Sequence, residues 1–147
     1  LDRGLRTIYK AFRLFLATLA LFAFQKPAYG PPAPSPDPDW QCLVSAVYHE
    51  ARGEPAKGKR AVLEVVLHRS AKSGKSICEV VAQKRQFPWF KKKGLVPLNP
   101  ETLLHYNQAL EYGPVLKDEK FLYFNGVRPH GVGCRRIGKH IFCKEKT

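Results

Sequence analysis

The chain has 147 residues, 44% of them hydrophobic, enough for one small globular domain and too few for several separate cores. Lys and Arg number 25 against 12 Asp and Glu, a formal net charge of +13. Residues 40–147 hold 20 of the basic and nine of the acidic side chains. A surface this basic suits a polyanion (nucleic acid, anionic lipid or a bacterial envelope), with solubility alone as the plain alternative.

The first expected element is an export signal over residues 1–30. Arg3, Arg6, Lys10 and Arg13 precede an apolar run of eleven residues from Leu14 to Phe24. A membrane-spanning helix needs about 20. The basic start, the short apolar stretch and the small-residue exit at Ala28-Tyr29-Gly30 fit a cleavable signal peptide, with an uncleaved N-terminal anchor as the alternative. Residues 31–39 carry five prolines in nine positions, which excludes a helix or an inner strand and predicts an extended, solvated linker. The folded domain is expected over residues 40–147.

Its first helix is predicted over Trp40–Arg52, capped by Asp39 and stopped by Gly53. Leu43, Ala46, Val47 and Glu50 fall at helical spacing on one face. Glu54 and Pro55 suit the start of a second helix, and Ala61, Val62, Val65, Val66 and Arg69 mark its stripe as far as about Ser70. After a turn at residues 73–76, Ser76 and Glu79 have capping-box spacing for a short helix through Val80 and Val81. Residues 84–98 read as irregular. Asn99-Pro100-Glu101 opens a further helix that Gly113-Pro114 closes. Phe121–Asn125 and Lys139–Cys143 read as strands joined by a glycine-rich loop or loose hairpin. The fold class is α+β: mostly helical, with a small antiparallel sheet near the C-terminus.

The four cysteines contain no Cys-x-x-Cys pair, so zinc-site spacing is absent. An even count in an exported domain predicts disulfides, and the two local pairs, Cys42 with Cys78 and Cys134 with Cys143, are preferred among the three possible pairings. The five histidines are scattered, and no metal or other cofactor is expected.

Glu50 is the anomaly. It stands in line with Leu43, Ala46 and Val47 on the face that should turn inward, where a carboxyl loses water and resists ionisation. That makes it a candidate general acid. A glutamate paired with Arg52, Arg60 or Arg69 at a helix end is the other reading. Glu64, Glu101, Glu111, Glu119 and Glu145 fall on positions that read as exposed, Glu79 reads as a cap, and Glu54 lies beyond a helix break. A second carboxyl of the kind most glycosidases use is therefore hard to place. A one-acid scheme is favoured, in which Glu50 protonates a bridging oxygen and then takes a proton from a hydroxyl of the same sugar. Water assisted by Glu54 is the alternative. Gln86, Phe87, Trp89, Tyr123 and Asn125 are of the types that line sugar-binding grooves, and each could instead fill the core or a loop.

Val47-Tyr48-His49-Glu50-Ala51-Arg52-Gly53-Glu54-Pro55 closely resembles the signature of the SleB-like cell-wall hydrolases. Gly58 and Ala61–Arg69 continue the likeness, with His68 where the family more often has Asn. Ile77–Val81, Gln86-Phe87, Phe121–Asn125 and Ile137–Phe142 follow in order. Pro88 replaces the usual Ser, and the Trp common before the Ile-Gly motif is missing. The resemblance covers about Cys42–Cys143. It implies a lysozyme-like fold and maps the catalytic glutamate onto Glu50, at a helix end facing a groove between the helices and the sheet. The implied activity is cleavage of peptidoglycan between muramic acid and glucosamine units, by lytic transglycosylation or as a hydrolytic muramidase. Such an enzyme would be an exported monomer of the periplasm or cell envelope, with peptidoglycan and the anionic envelope as partners. The alternatives are a non-catalytic cationic envelope-binding module and a nucleic-acid binder, the latter opposed by the export signal.

Overall fold

The computed structural model describes residues 37–146. The expected export signal and most of the linker lie outside the described residues. Five helices come first: α1 (Pro38–Ala51), α2 (Ala56–Ser73), α3 (Ile77–Ala82), α4 (Pro88–Lys93) and α5 (Pro100–Leu110). Three strands follow: β1 (Phe121–Asn125), β2 (Val132–Ile137) and β3 (His140–Lys144). No helix among the described residues is long and apolar enough to cross a membrane.

Helix α1 begins two residues before the predicted Trp40 because Pro38 fits its first turn. The N-cap is Asp37, whose carboxylate accepts the Asp39 N–H at 3.0 Å, so Asp39 is not the cap. Asp39 instead serves another helix: its carboxylate accepts the N–H groups of Ile77 (3.1 Å) and Cys78 (2.9 Å) at the start of α3. The Cys42–Cys78 disulfide joins the same two helices across 36 residues, a closure that removes about 4 kcal/mol of chain entropy from the unfolded state. Ser76 and Glu79 form the predicted capping box.

The stretch predicted as irregular contains α4. Pro88 supplies its first turn, and Gly94, at φ +68, stops it after six residues. The predicted loop between the strands itself contains a strand. β2 pairs antiparallel with β3, which also pairs with β1, giving the order β1-β3-β2. Five of the six β2 residues are exposed and only Ile137 is buried, so the alternation that marks a strand is missing from its sequence. The Cys134–Cys143 disulfide links β2 to β3, completing the predicted pairing.

Helix α2 lies at the centre. Leu63 and Val66 pack with Cys42, Leu43, Ala46, Val47, Val80 and Trp89 in one core. Ala61, Val62 and Val65 pack with Ala51, Leu116, Phe121, Ile137 and Phe142 in another. Two apolar faces on one helix blur its amphipathic pattern. Each fully buried aliphatic side chain contributes about 1.5–3 kcal/mol.

Glu64, predicted exposed, is only 4% exposed. It accepts the N–H groups of Val115 (3.0 Å) and Leu116 (2.6 Å) and pairs with Arg60 at 2.6 Å. Those bonds fix the segment that leads into β1. Replacing Glu64 by Ala strands two buried N–H groups and is expected to cost about 3 kcal/mol, read as a lower urea midpoint at unchanged slope. Gly138 opens the two-residue β2–β3 turn at φ +60, and a Cβ there would overlap Glu54 Oε2. Gly138→Ala is expected to lower stability by at least about 1 kcal/mol, measurable as a fall in thermal midpoint.

Candidate active site

Glu50 sits in the last turn of α1, carried inward by the stripe of Leu43, Ala46 and Val47. Its side chain is half-buried and lines an open groove of about 440 Å³. Arg69 of α2, Arg85, Gln86 and Pro88 lie on the helical side of that groove, and Tyr123, Phe124, Asn125, Gly126, His130 and His140 on the sheet side. The groove therefore runs where the resemblance implied. Glu50 is the one carboxyl among its lining residues.

Three influences act on that carboxyl. Burial pushes its pKa up and is the largest. The indole N–H of Trp89 donates to Glu50 Oε1 at 2.8 Å, and the positive Arg69 lies near; both pull the pKa down, and burial prevails. The result is a carboxyl biased toward its protonated form yet supplied with groups that stabilise its anion. Such a group can give a proton and take one back.

The supporting side chains are fixed by the fold. Helix α4 presents Trp89, whose ring stacks on His49 at 4.4 Å and meets Phe87 and Phe90 edge-on. His49, adjacent to Glu50, turns away from the groove as helix geometry requires and braces the indole from behind. Burial lowers the His49 pKa, and the nearby Lys93 charge acts in the same sense, so the ring is neutral near neutral pH. Arg69 is anchored by Nε donating to Leu122 O at 2.5 Å. Its guanidinium stacks over Phe87 (5.5 Å) and Tyr123 (5.9 Å), and burial brings its pKa down to about 10. Arg69 Nη1 is buried with no hydrogen-bond partner. The register of β1 with β3 shifts between Phe121 and Tyr123, and the Phe121 and Leu122 carbonyls there meet His68 and Arg69 of α2.

Of the residues predicted to bind substrate, Gln86, Tyr123 and Asn125 line the groove with Glu50. Phe87 does not: it is 2% exposed, packed between Trp89, Phe124 and the Arg69 guanidinium. Glu54 does not line it either. It is 7% exposed, and its Oε2 accepts the Lys139 N–H at 2.8 Å beneath the β2–β3 turn. That bond holds the turn together. Trp89 is a buried hydrogen-bond donor to Glu50, not a stacking platform. Arg85, His130 and His140 were not expected in the groove, and Arg69 was considered only as a possible partner of Glu50 at the helix end. Arg69 had one available signal, a charge on an apolar helical stripe, the same signal that marked Glu50. Among the described residues no three His, Cys, Asp or Glu side chains converge as metal ligands would.

Comparisons with known proteins bear on the family and the fold. The catalytic domain of the germination-specific lytic transglycosylase SleB from Bacillus anthracis superposes with a TM-score of 0.58 at 26% identity, covering 77% of this chain and 99% of that one. A spore cortex-lytic enzyme from Bacillus cereus is 31% identical over 121 residues, 72% of this chain and 44% of the relative. One from Bacillus subtilis is 34% identical over 115 residues, 72% of this chain and 37% of the relative. The chain thus spans less than half the length of these curated relatives. Residues 53–143 match the family described as Cell Wall Hydrolase, and the chain belongs to that family.

Proposed function

We propose that the chain cleaves the glycan strands of peptidoglycan between muramic acid and glucosamine as a lytic transglycosylase, with Glu50 as its acid and base. The observation that carries this reading is a single half-buried carboxyl in an open groove otherwise lined by polar, aromatic and basic side chains. The similarity to a lytic transglycosylase catalytic domain and to spore cortex-lytic enzymes supports it.

In this reading Glu50 enters protonated and gives its proton to the bridging oxygen as the bond from that oxygen to the muramic C1 breaks. Positive charge develops at C1, facing the new Glu50 carboxylate. A hydroxyl of the same muramic residue then bonds to C1 and passes its proton to Glu50. The products are a free glucosamine end and a muramic end closed as an internal anhydro ring, and Glu50 is protonated again. Trp89 and Arg69 stabilise the anion between the two transfers, which a carboxyl governed by burial alone would resist. Gln86, Tyr123 and Asn125 line the groove, and in this reading they hold the strand by amide hydrogen bonds and by a ring against the apolar sugar face. The two disulfides suit an oxidising compartment outside the cytoplasm, where this substrate lies. The engagement of Glu54 by the β2–β3 turn disfavours water activated by that residue.

Two outcomes test the reading. Purified sacculi treated with the protein should release anhydro-muropeptides, identified by the mass of the muramic end. Glu50→Gln should lose at least about a thousandfold in rate while keeping a thermal midpoint no lower than the parent's at neutral pH, because it removes a group whose ionisation burial disfavours. Hydrolysed muramic ends would replace transglycosylation by a muramidase reaction, and wall binding without product would leave only an envelope-binding module. Trp89→Phe keeps the ring and removes the N–H that lowers the Glu50 pKa. Activity needs protonated Glu50 and falls as pH rises, so in this variant the alkaline limb of the pH–rate profile should move to higher pH, with a lower maximum. Arg69, whose charge acts on the same carboxyl, and Tyr123 and His140, which line the same groove, are unchanged in that comparison.

A further inference from the structure

Arg85 takes no part in the scheme above, and its setting is unusual. It is the one non-glycine residue with positive φ among the described residues, at +67. It occupies the third position of a turn closed by the Gln86 N–H donating to Gln83 O at 3.2 Å, where glycine or asparagine is the ordinary choice. The side chain is exposed, lines the groove that holds Glu50, and makes no hydrogen bond, ion pair or ring contact with the described residues. A backbone conformation that disfavours a Cβ is thus kept while an unpartnered guanidinium is presented to the site.

The charge of the groove points the same way. Arg69 and Arg85 both reach it, and its one carboxyl is the acid that must arrive protonated. Arg69 Nη1 lacks an acceptor. An anion carried by the substrate would balance this charge. Sugar rings are neutral, whereas a muramic residue bears a carboxyl on its lactyl arm or, when that arm is amidated by peptide, on the stem. We propose that Arg85 is a specificity-determining residue that pairs with a substrate carboxylate, so that the groove selects acidic glycan strands over neutral ones. This rests on the glycan-cleaving function proposed above.

The test uses four soluble probes: uncrosslinked strands that keep their stems, strands stripped of stems to free the lactyl carboxylates, and each of these two with its carboxyls converted to amides. Binding is measured by calorimetry with the Glu50→Gln protein, and cutting is followed in parallel with the parent. One of the two acidic probes should bind about tenfold more tightly than its amidated form, and which one does so identifies the carboxylate as lactyl or stem. Adding Arg85→Gln should bring that ratio close to one. Arg85→Gly, which relieves the backbone, should do the same, and Arg85→Lys should keep part of the preference. An undiminished ratio in Arg85→Gln, or no preference in the Glu50→Gln protein while the parent cuts the strands, overturns the assignment of Arg85. A parent that cuts none of the probes overturns the glycan-cleaving reading itself, and this inference with it.

Discussion

The hydrogen bond from the Trp89 indole to Glu50 organises the site around one half-buried carboxyl. Burial alone would hold that carboxyl protonated and make it a poor base; full exposure would ionise it and make it a poor acid. The fold lies between these extremes. Apolar neighbours on α1 remove water from one side, the groove admits it from the other, and a neutral N–H and a nearby guanidinium favour the anion. The short helix α4 presents that N–H, and Pro88, Gly94 and the stack of His49 on Trp89 fix its position.

The other acids that the fold buries are occupied elsewhere. Glu64 accepts two backbone N–H groups and an arginine, and Glu54 accepts the N–H of the β2–β3 turn. The half-buried Asp39 accepts two N–H groups at the start of α3. Each satisfies backbone donors, in a loop, a turn or a helix start, that would otherwise be left unpaired. They connect helices to loops and sheet across long stretches of sequence. Their engagement leaves Glu50 as the only carboxyl among the described residues that line the groove, which is why a small, strongly basic protein can offer a one-acid site.

Central placement of α2 relates the two halves of the groove. Its two apolar faces hold the helical core and the sheet core, so Arg69 reaches the groove while bonded to β1. The register shift in β1 falls beside that bond and precedes Tyr123 and Asn125, which face the same groove as Glu50. The Arg69 guanidinium over both Phe87 and Tyr123 joins the helical wall to the sheet wall.

The sequence by itself determined the elements whose signals are local. Capping residues, prolines at helix starts and apolar stripes located the helices α1, α2, α3 and α5. The anomaly of a charge on an apolar stripe singled out Glu50, and locality favoured the two disulfide pairs. Only the tertiary structure decided what depends on partners distant in the chain. Strand β2 has almost no buried side to announce it, and α4 is too short for periodicity to show. The burial of Glu64 and Glu54 follows from N–H groups 51 and 85 residues away. Trp89, Phe87 and Tyr123 are all aromatic, and composition cannot tell the core ring, the carboxyl's donor and the groove wall apart. That distinction arises only when α4 packs against α1 and the sheet closes the other side, because burial and hydrogen bonding are properties of the assembled neighbours and not of the residue type.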